Sequence, residues 1–315
     1  MLLTLHAASV KDMLAPPGEK ATGGRIALGD LPAYCLETLG LHGLNLSTAM
    51  LKGSTPAQLE ALRDRGDKAG CSILLLIESG ELPIGDGSDE TEAAIERAGR
   101  VIRAGNLLGC SAVAVPFTCP DDEEASEYAV EALQRVMKLA DRRDMNVLIQ
   151  PAKGLTESPD KLTDLIKRVG GFRIGAYPDF QTAAQTDDPE GYMKRLTPYA
   201  AAVSASVEAF EVQAPEPAPK KESSPDPAEE LDPGDPLARL EADLEALLGP
   251  EEEDEPEAQV THSAYDLDPL LRAVTAVGFD SNLVIEYRGE SDGTMGVLHA
   301  RAAIEQSVDR LSAEA

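Results

Sequence analysis

Short apolar runs alternate with longer segments of helical periodicity along almost the whole chain. The short runs are rich in Val, Ile and Leu and are mostly apolar on both faces, which is typical of parallel strands buried on both sides. We predict eight strands: Leu2–Ser9, His42–Leu46, Ser72–Glu78, Ser111–Val115, Asn146–Gln150, Phe172–Tyr177, Ala202–Val207 and Asn282–Tyr287.

The longer segments carry apolar residues at spacings of three and four, which indicates amphipathic helices. Several begin with a capping residue followed by proline, and several end at glycine, as helices commonly do. The predicted helices are Asp30–Leu39, Pro56–Ala69, Glu90–Leu108, Glu123–Arg143, Pro159–Val169, Pro189–Leu196, Asp266–Val277 and Val297–Leu311.

Regular repetition of strand and helix, eight times over, predicts an α/β fold of the closed (β/α)₈ TIM-barrel type. A doubly wound open sheet is the alternative for the same alternation, and the regular repeats favour the barrel. In a TIM barrel the functional residues lie at the carboxyl ends of the strands. Functional side chains are therefore expected just after the predicted strands.

Composition restricts the classes of partner. The chain has no run of about 18 apolar residues and no basic start typical of a signal peptide, so we expect no membrane partner. Its four cysteines show no CxxC spacing, which favours small, reduced, buried thiols in a cytoplasmic protein. The net charge of −28 opposes binding to nucleic acid, which requires a basic surface.

Half of that charge lies in one segment, residues 211–259, which holds 17 acidic and 3 basic side chains and 9 of the 22 prolines. Such a composition predicts disorder. We therefore expect residues 1–210 and 260–315 to form a single barrel domain, and residues 211–259 to form a disordered insertion between strand seven and its helix. Residues 236–248 carry leucines at helical spacing, which predicts a short amphipathic helix that makes no contact, lies on the barrel or binds a protein partner.

Polar side chains follow several predicted strands. Gln150 ends strand five, and Asp179 comes just past strand six in Tyr177-Pro178-Asp179. Strand seven carries Ser204 and Ser206, and Glu286 ends strand eight. These side chains are expected to converge at one mouth of the barrel, because the carboxyl ends of parallel strands lie at the same edge.

Two stretches give the chain a family resemblance. Leu41-His42-Gly43-Leu44-Asn45-Leu46-Ser47 is similar to a G-V-x-G-V-E-L run, and Ala273–Tyr287 is similar to a closing L-x-x-x-G-Y-x-G-x-L-x-x-E pattern. Both patterns occur in the xylose isomerase-like TIM barrels of the sugar phosphate isomerase/epimerase family. The resemblance covers nearly the whole chain apart from the acidic insertion and the loop 11–25.

The resemblance implies a divalent metal held by Glu, Asp, His and Glu from strands five to eight, with the two glutamates exchanging a proton with the sugar. Asp179 and Glu286 match as metal ligands, whereas the strand-five position is Gln150 and the strand-seven histidine is replaced by Ser204 or Ser206. The histidine that often follows the strand-six Asp is Thr182. We therefore expect at most a weakly bound cation such as Mg²⁺ or Mn²⁺.

Other polar residues are candidates for a site at the mouth. His6 is either a substrate-binding group or a histidine bonded within the wall, and Glu78 is either a second catalytic acid or base or a solvated loop carboxylate. Lys153 and Arg288 are either ligands for a substrate phosphate or carboxylate, or ordinary charges of the rim. The remaining histidines, His42, His262 and His299, fit surface or packing positions.

Three functions fit these features. The first is a sugar or sugar-phosphate isomerase or epimerase acting on a small polyhydroxy substrate, with Glu286 as base, Gln150 as a substrate contact and a degraded metal site. The second is a non-catalytic barrel that binds a small molecule or a protein partner. The third is a lyase or hydrolase on the same scaffold, since a fold does not fix a function.

Overall fold

The computed structural model describes residues 1–15, 25–214 and 258–313. Within these ranges, eight parallel strands form one curled sheet in the order β6-β5-β4-β3-β2-β1-β8-β7. The strands are β1 (Leu2–His6), β2 (Gly43–Ser47), β3 (Ser72–Ile77), β4 (Ala112–Val115), β5 (Asn146–Ile149), β6 (Ile174–Ala176), β7 (Ala202–Val207) and β8 (Asn282–Tyr287).

The sheet closes between its two outer strands, β6 and β7. Parallel bridges join Ala176 to Ala200 and Asp179 to Ser204, and the backbone N–H of Ser204 donates to the carbonyl of Pro178 at 2.9 Å. The predicted TIM barrel is thereby confirmed, and the open sheet is excluded.

Within the described ranges, helices follow the strands, one or two after each. They are α1 (Leu31–Leu39), α2 (Pro56–Ala69), α3 (Asp89–Leu108), α4 (Glu123–Asp141), α5 (Pro159–Val169), α6 (Phe180–Ala184), α7 (Pro189–Leu196), α8 (Asp268–Ala276) and α9 (Gly293–Ala313). Some of the predicted caps form: Thr55 and Gln58 make a capping box at the start of α2, and Gly70 ends that helix in the left-handed conformation. Ser158 makes no such bond at the start of α5. Among the described residues, no helix combines the length and apolar content needed to cross a bilayer.

The inside of the barrel is layered. The side chains of Thr4, Asn45 and Asn282 are hydrogen-bonded to one another, with Thr4 and Asn45 at the middle of β1 and β2 and Asn282 at the start of β8. Apolar residues form a buried cluster, namely Leu75, Ile77, Ala112, Ala114, Leu148, Ala202 and Val284, with the ring of Tyr177 packed against them. Side chains alternate along a strand, so the next inward positions are at the carboxyl ends, where polar residues occur.

Two predicted strands are shorter than expected by more than one residue. The first ends at His6 rather than Ser9, because the chain turns into a 3₁₀ helix at Ala7–Met13, and the Ser9 hydroxyl accepts the N–H of Tyr287 at 2.8 Å. The sixth begins at Ile174 rather than Phe172, because Gly170 and Gly171 place the chain in a turn with positive φ. All four cysteines are free and buried, as predicted.

The described ends of the acidic segment form regular structure, whereas disorder was expected. Phe210–Gln213 and Gln259–His262 pair as a two-stranded sheet. Backbone pairing of the two ends supplies hydrogen bonds that composition alone does not indicate. The helix predicted at 236–248, and most of the segment predicted to be disordered, lie outside the described residues.

We predict that the barrel folds without residues 215–257. Replacing them with a linker of about six Gly and Ser residues should change the free energy of unfolding by less than about 0.5 kcal/mol, because loop closure depends only weakly on length. Urea unfolding of the two chains measures this difference. A loss of one to a few kcal/mol, about the value of burying several leucines after ordering costs, would instead indicate that the leucine face of residues 236–248 docks.

The seam between β6 and β7 gives a second prediction. A Cβ at Gly175 would overlap the carbonyl oxygen of Tyr199 and press on Leu148, so Gly175→Ala should lower the free energy of unfolding by about 1–3 kcal/mol, as overpacking does. Gly87→Ala is the control, because a Cβ there meets the Tyr128 ring at an ordinary 3.4 Å. Equal stability of both variants and the parent chain in urea titrations would contradict the predicted seam.

Candidate functional site at the barrel mouth

Polar side chains from four strands meet at the carboxyl end of the barrel. His6 ends β1, Asp179 follows β6, Ser204 lies within β7, and Glu286 lies near the end of β8. Arg288 follows one residue after β8. Because Glu286 and Arg288 are two residues apart in extended chain, both side chains project to the same inner face.

The Arg288 guanidinium is the centre of this cluster. Its Nη2 donates to Asp179 Oδ2 at 2.9 Å and to Glu286 Oε2 at 2.8 Å, and its Nη1 donates to Gln181 Oε1 at 2.7 Å. One cation therefore bridges two carboxylates from neighbouring parts of the barrel wall. The side chain of Arg288 is only 32% exposed, so solvent screens these ion pairs less than it would at an open surface.

Asp179 has a second structural role. Its Oδ1 accepts the backbone N–H of Thr182 at 2.9 Å and the Thr182 hydroxyl at 3.0 Å, which caps α6. The carboxylate is therefore already bonded on both oxygens by groups of this chain.

Glu286 is held from several sides. Its Oε2 also accepts the Ser204 hydroxyl at 3.2 Å, and its Oε1 lies 3.5 Å from Nδ1 of His6. Burial opposes ionisation of Glu286, but the electrostatic influence of His6 and the bonds from Arg288 and Ser204 hold its pKa below the usual range. Glu286 is therefore ionised at neutral pH.

The pKa of the Arg288 guanidinium is shifted in the opposite direction. Burial disfavours the charge of Arg288, but Asp179 and Glu286 outweigh burial and raise its pKa. The guanidinium thus remains charged at every physiological pH.

Two buried polar side chains beside the carboxylates are incompletely hydrogen-bonded, although they are only 5% and 2% exposed. Neither ring nitrogen of His6 makes a hydrogen bond within the described part of the chain. The hydroxyl of Tyr177 interacts with Ser204 but does not reach hydrogen-bond geometry. Burial lowers the pKa of His6 and raises that of Tyr177, so both are neutral at pH 7. Orphaned buried polar groups are uncommon and call for a bound partner.

A second layer of side chains positions the cluster. Gln181, which accepts from Arg288, donates through Nε2 to Glu208 at 3.1 Å. The backbone N–H of Glu208 in turn donates to Nε2 of His262 at 3.2 Å, and Nδ1 of His262 is bonded to the carbonyl of Tyr265 at 2.8 Å. His262 thus has the packing role expected from the sequence.

Comparison with known proteins agrees with this architecture. A family model described as "Xylose isomerase-like TIM barrel" matches residues 36–314. The chain belongs to this family. No curated protein sequence matches it.

Solved structures similar to this xylose isomerase-like barrel share its fold at low identity. An L-ribulose 3-epimerase has a TM-score of 0.68 at 13% identity, with 100% of this chain and 97% of that chain covered. The IolI protein with a bound zinc atom has a TM-score of 0.61 at 14% identity, with coverages of 99% and 98%. A D-psicose 3-epimerase with D-tagatose from Clostridium cellulolyticum H10 has a TM-score of 0.60 at 13% identity, covering 98% of each chain.

The donor set of this xylose isomerase-like barrel does not fit a divalent metal. Within the described residues, no three or more His, Cys, Asp or Glu side chains are grouped as metal ligands. Asp179 and Glu286 are brought together as expected, but Arg288 lies between their oxygens. A chemistry that depends on four protein ligands has no counterpart in this arrangement.

Glu78 is not part of the cluster. Its carboxylate accepts Nε of Arg97 at 2.8 Å, the N–H of Gly80 at 3.0 Å and the Thr48 hydroxyl at 3.2 Å. It borders a separate cavity of about 530 Å³ that Arg97 also lines. A carboxylate held by these donors is an anchor between the ends of β2 and β3 and the helix α3.

The remaining sequence candidates also differ in position. Lys153 is exposed and lines another cavity, of about 400 Å³, with Asp86 and Thr118. Gln150 follows β5 at the same edge of the barrel as Asp179, and its side chain makes no hydrogen bond within the described ranges. Of the predicted site residues, the structure thus joins His6, Asp179, Glu286 and Arg288.

Sequence reasoning did not single out Tyr177 or Gln181. Tyr177 precedes Asp179 by two residues, and that spacing in extended chain places both side chains on the inner face. Gln181 lies within α6, a short helix that Asp179 caps. The alternation of side chains along a strand therefore does not predict the direction of the Gln181 side chain.

The two buried histidines give a prediction of pH dependence. Burial lowers the folded pKa of both His6 and His262 below the ordinary 6.5. As pH falls below 6.5 the unfolded chain therefore gains protons that the folded chain does not, and stability should fall until pH reaches the folded pKa. The loss is about 1.4 kcal/mol for each pH unit between the two pKa values.

His6→Gln and His262→Gln should each flatten this decline, measured as the free energy of unfolding in urea between pH 7.5 and 5. His42→Gln, at an exposed histidine, should retain the profile of the parent chain. Parallel profiles for all four chains would show that the buried histidines do not cause the decline.

Proposed function

We propose that this chain is a sugar isomerase/epimerase-like protein that binds a small, uncharged polyhydroxy ligand at the barrel mouth without a divalent metal. The observation that carries the proposal is the pair of buried polar side chains, His6 and Tyr177, beside the carboxylate of Glu286, where neither ring nitrogen of His6 makes a hydrogen bond within the described residues. Hydroxyl groups of a sugar can donate to and accept from such groups at the same time.

The balance of charge favours an uncharged ligand. Asp179 and Glu286 contribute two negative charges and Arg288 one positive charge, while His6 is neutral because burial lowers its pKa. The cluster therefore carries a net charge of −1 at neutral pH. A phosphate or carboxylate on the ligand would face two carboxylates and find the arginine already engaged, which costs Coulomb energy at short range.

The same contacts weigh against proton exchange by two carboxylates. The strand-five position holds Gln150, whose amide cannot take up a proton at neutral pH. Glu286 is ionised, paired with Arg288 and bonded to Ser204. Binding without the two-glutamate reaction is therefore the function that these side chains support best.

One observation favours a second candidate function. Nδ1 of neutral His6 lies 3.5 Å from Oε1 of Glu286, so a base and a polarising group for proton transfer would be available without a metal. Isomerisation through His6 and Glu286 is the corresponding reaction class.

A deuterium-exchange assay separates the two functions. Free ketoses including D-tagatose and D-fructose, and their phosphate esters, are incubated with the protein in D₂O and followed by proton NMR. We expect saturable binding of a free sugar, weaker binding of its phosphate ester, and no deuterium incorporation above the uncatalysed rate. Incorporation that disappears in Glu286→Gln would instead establish the isomerase, and absence of binding to any sugar or polyol would refute the proposal.

Removing the Tyr177 hydroxyl should weaken binding selectively. One hydrogen bond contributes about 0.5–1.5 kcal/mol, so Tyr177→Phe should raise Kd by about 2- to 10-fold, measured by calorimetry. The free energy of unfolding should change little, because the contact of this hydroxyl with Ser204 falls outside hydrogen-bond geometry. Tyr128→Phe, at an exposed tyrosine, is the control and should bind as the parent chain does.

A further inference from the structure

The contacts of Arg288 differ from those of an ordinary rim arginine. Its two terminal nitrogens engage three acceptors on two different segments of the wall: Asp179, Gln181 and Glu286. Arg97, which is similarly exposed at 38%, forms an ion pair with one carboxylate, that of Glu78. Arg288 therefore fills the space between two carboxylates instead of covering one.

A divalent metal and the Arg288 guanidinium cannot lie between Asp179 and Glu286 at the same time. Nη2 of Arg288 lies 2.9 Å from Asp179 Oδ2 and 2.8 Å from Glu286 Oε2. A divalent cation that used both oxygens would need them at about 2.0–2.6 Å from its own centre. The guanidinium and the metal would thus compete for the same position.

Electrostatic repulsion between Asp179 and Glu286 favours a positive charge between their carboxylates. Two carboxylates in a partly buried site repel each other, and an unpaired one carries a large desolvation cost. The positive charge of Arg288 offsets both terms, and Gln181, bonded to Glu208, fixes the orientation of the guanidinium.

We propose that Arg288 is the resident cation of this site and takes the place that a divalent metal would otherwise occupy between Asp179 and Glu286. The planar fork of guanidinium donors is essential to this role, because a single ammonium group cannot reach three acceptors in a fixed geometry. The inference does not depend on which ligand the mouth binds.

Manganese binding tests the proposal. The parent chain and Arg288→Met, which retains an unbranched side chain but no charge, are titrated with MnCl₂, and free Mn²⁺ is measured by electron paramagnetic resonance. We expect no saturable binding by the parent chain up to about 1 mM, well above the affinity range of a dedicated divalent site. Arg288→Met should bind at least about tenfold more tightly, and Mn²⁺ should raise its thermal midpoint.

Two controls locate the effect. Arg97→Met should gain no affinity for Mn²⁺, because it leaves a single carboxylate exposed to the ion. The double variant Arg288→Met with Asp179→Asn should lose the gain, because one of the two carboxylates is then neutral.

Guanidinium chloride at about 1–10 mM, far below denaturing concentrations, should raise the thermal midpoint of Arg288→Ala and not that of the parent chain.

Stoichiometric Mn²⁺ binding by the parent chain at micromolar concentration would overturn the proposal. So would a folded Arg288→Met that gains no affinity for Mn²⁺. If Arg288→Met does not fold, Arg288→Gln also removes the charge while keeping a polar side chain, and we expect it to bind Mn²⁺ more tightly than the parent chain; no gain in that variant would also overturn the proposal. None of these measurements uses a sugar, so their outcome is separate from that of the binding assay.

Discussion

The mouth of this barrel is organised by the charge balance between one guanidinium group and two carboxylates. Asp179 and Glu286 come from different parts of the wall, and the closure of β6 onto β7 and of β7 onto β8 brings them together. Breaking a buried pair of this kind by removing one partner typically costs about 3–5 kcal/mol, and less where solvent reaches the pair, as it does in part at Arg288. The orientation of Gln181 and the cap of α6 follow from the same contacts.

Alternation of side chains along the strands explains why the polar groups are gathered at one level. The inner positions of β7 and β8 change from Ala202 and Val284 in the apolar layer to Ser204 and Glu286 at the next level. The apolar layer below is built from alanines and larger aliphatic residues, so the ring of Tyr177 packs there while its hydroxyl lies next to the carboxylates. Packing therefore places a polar tip where a ligand can satisfy it.

Membership of the xylose isomerase-like family fixes the architecture and leaves the chemistry to individual side chains. The solved structures with similar folds include sugar epimerases and a zinc-containing protein, at 13–14% identity. In this chain neutral Gln150 follows strand five, strand seven carries the neutral side chains Ser204 and Ser206, and Arg288 follows Glu286 of strand eight. These side chains, rather than the fold, determine what the site can bind.

The sequence alone determined the barrel. The period of apolar residues, the prolines at helix starts and the glycines at helix ends located every strand and nearly every helix, with β7 and β8 predicted to the residue. These features act locally, through backbone conformation and burial, so a linear pattern contains them. The same reasoning placed Asp179 and Glu286 at the mouth, because strand ends share one edge.

Only the tertiary structure decided how those charges pair. Arg288 and Asp179 are 109 residues apart, and whether the guanidinium reaches that carboxylate depends on side-chain conformation and on closure of the sheet. Likewise, Glu78 and Lys153 are both charged residues at or just after a predicted strand, as Arg288 is. The structure pairs Glu78 with Arg97 of α3 and places Lys153 at a different cavity. Distances of 2.8–2.9 Å between charged atoms decide the chemistry of the site, and they arise from packing across the whole barrel rather than from the order of residues along one strand.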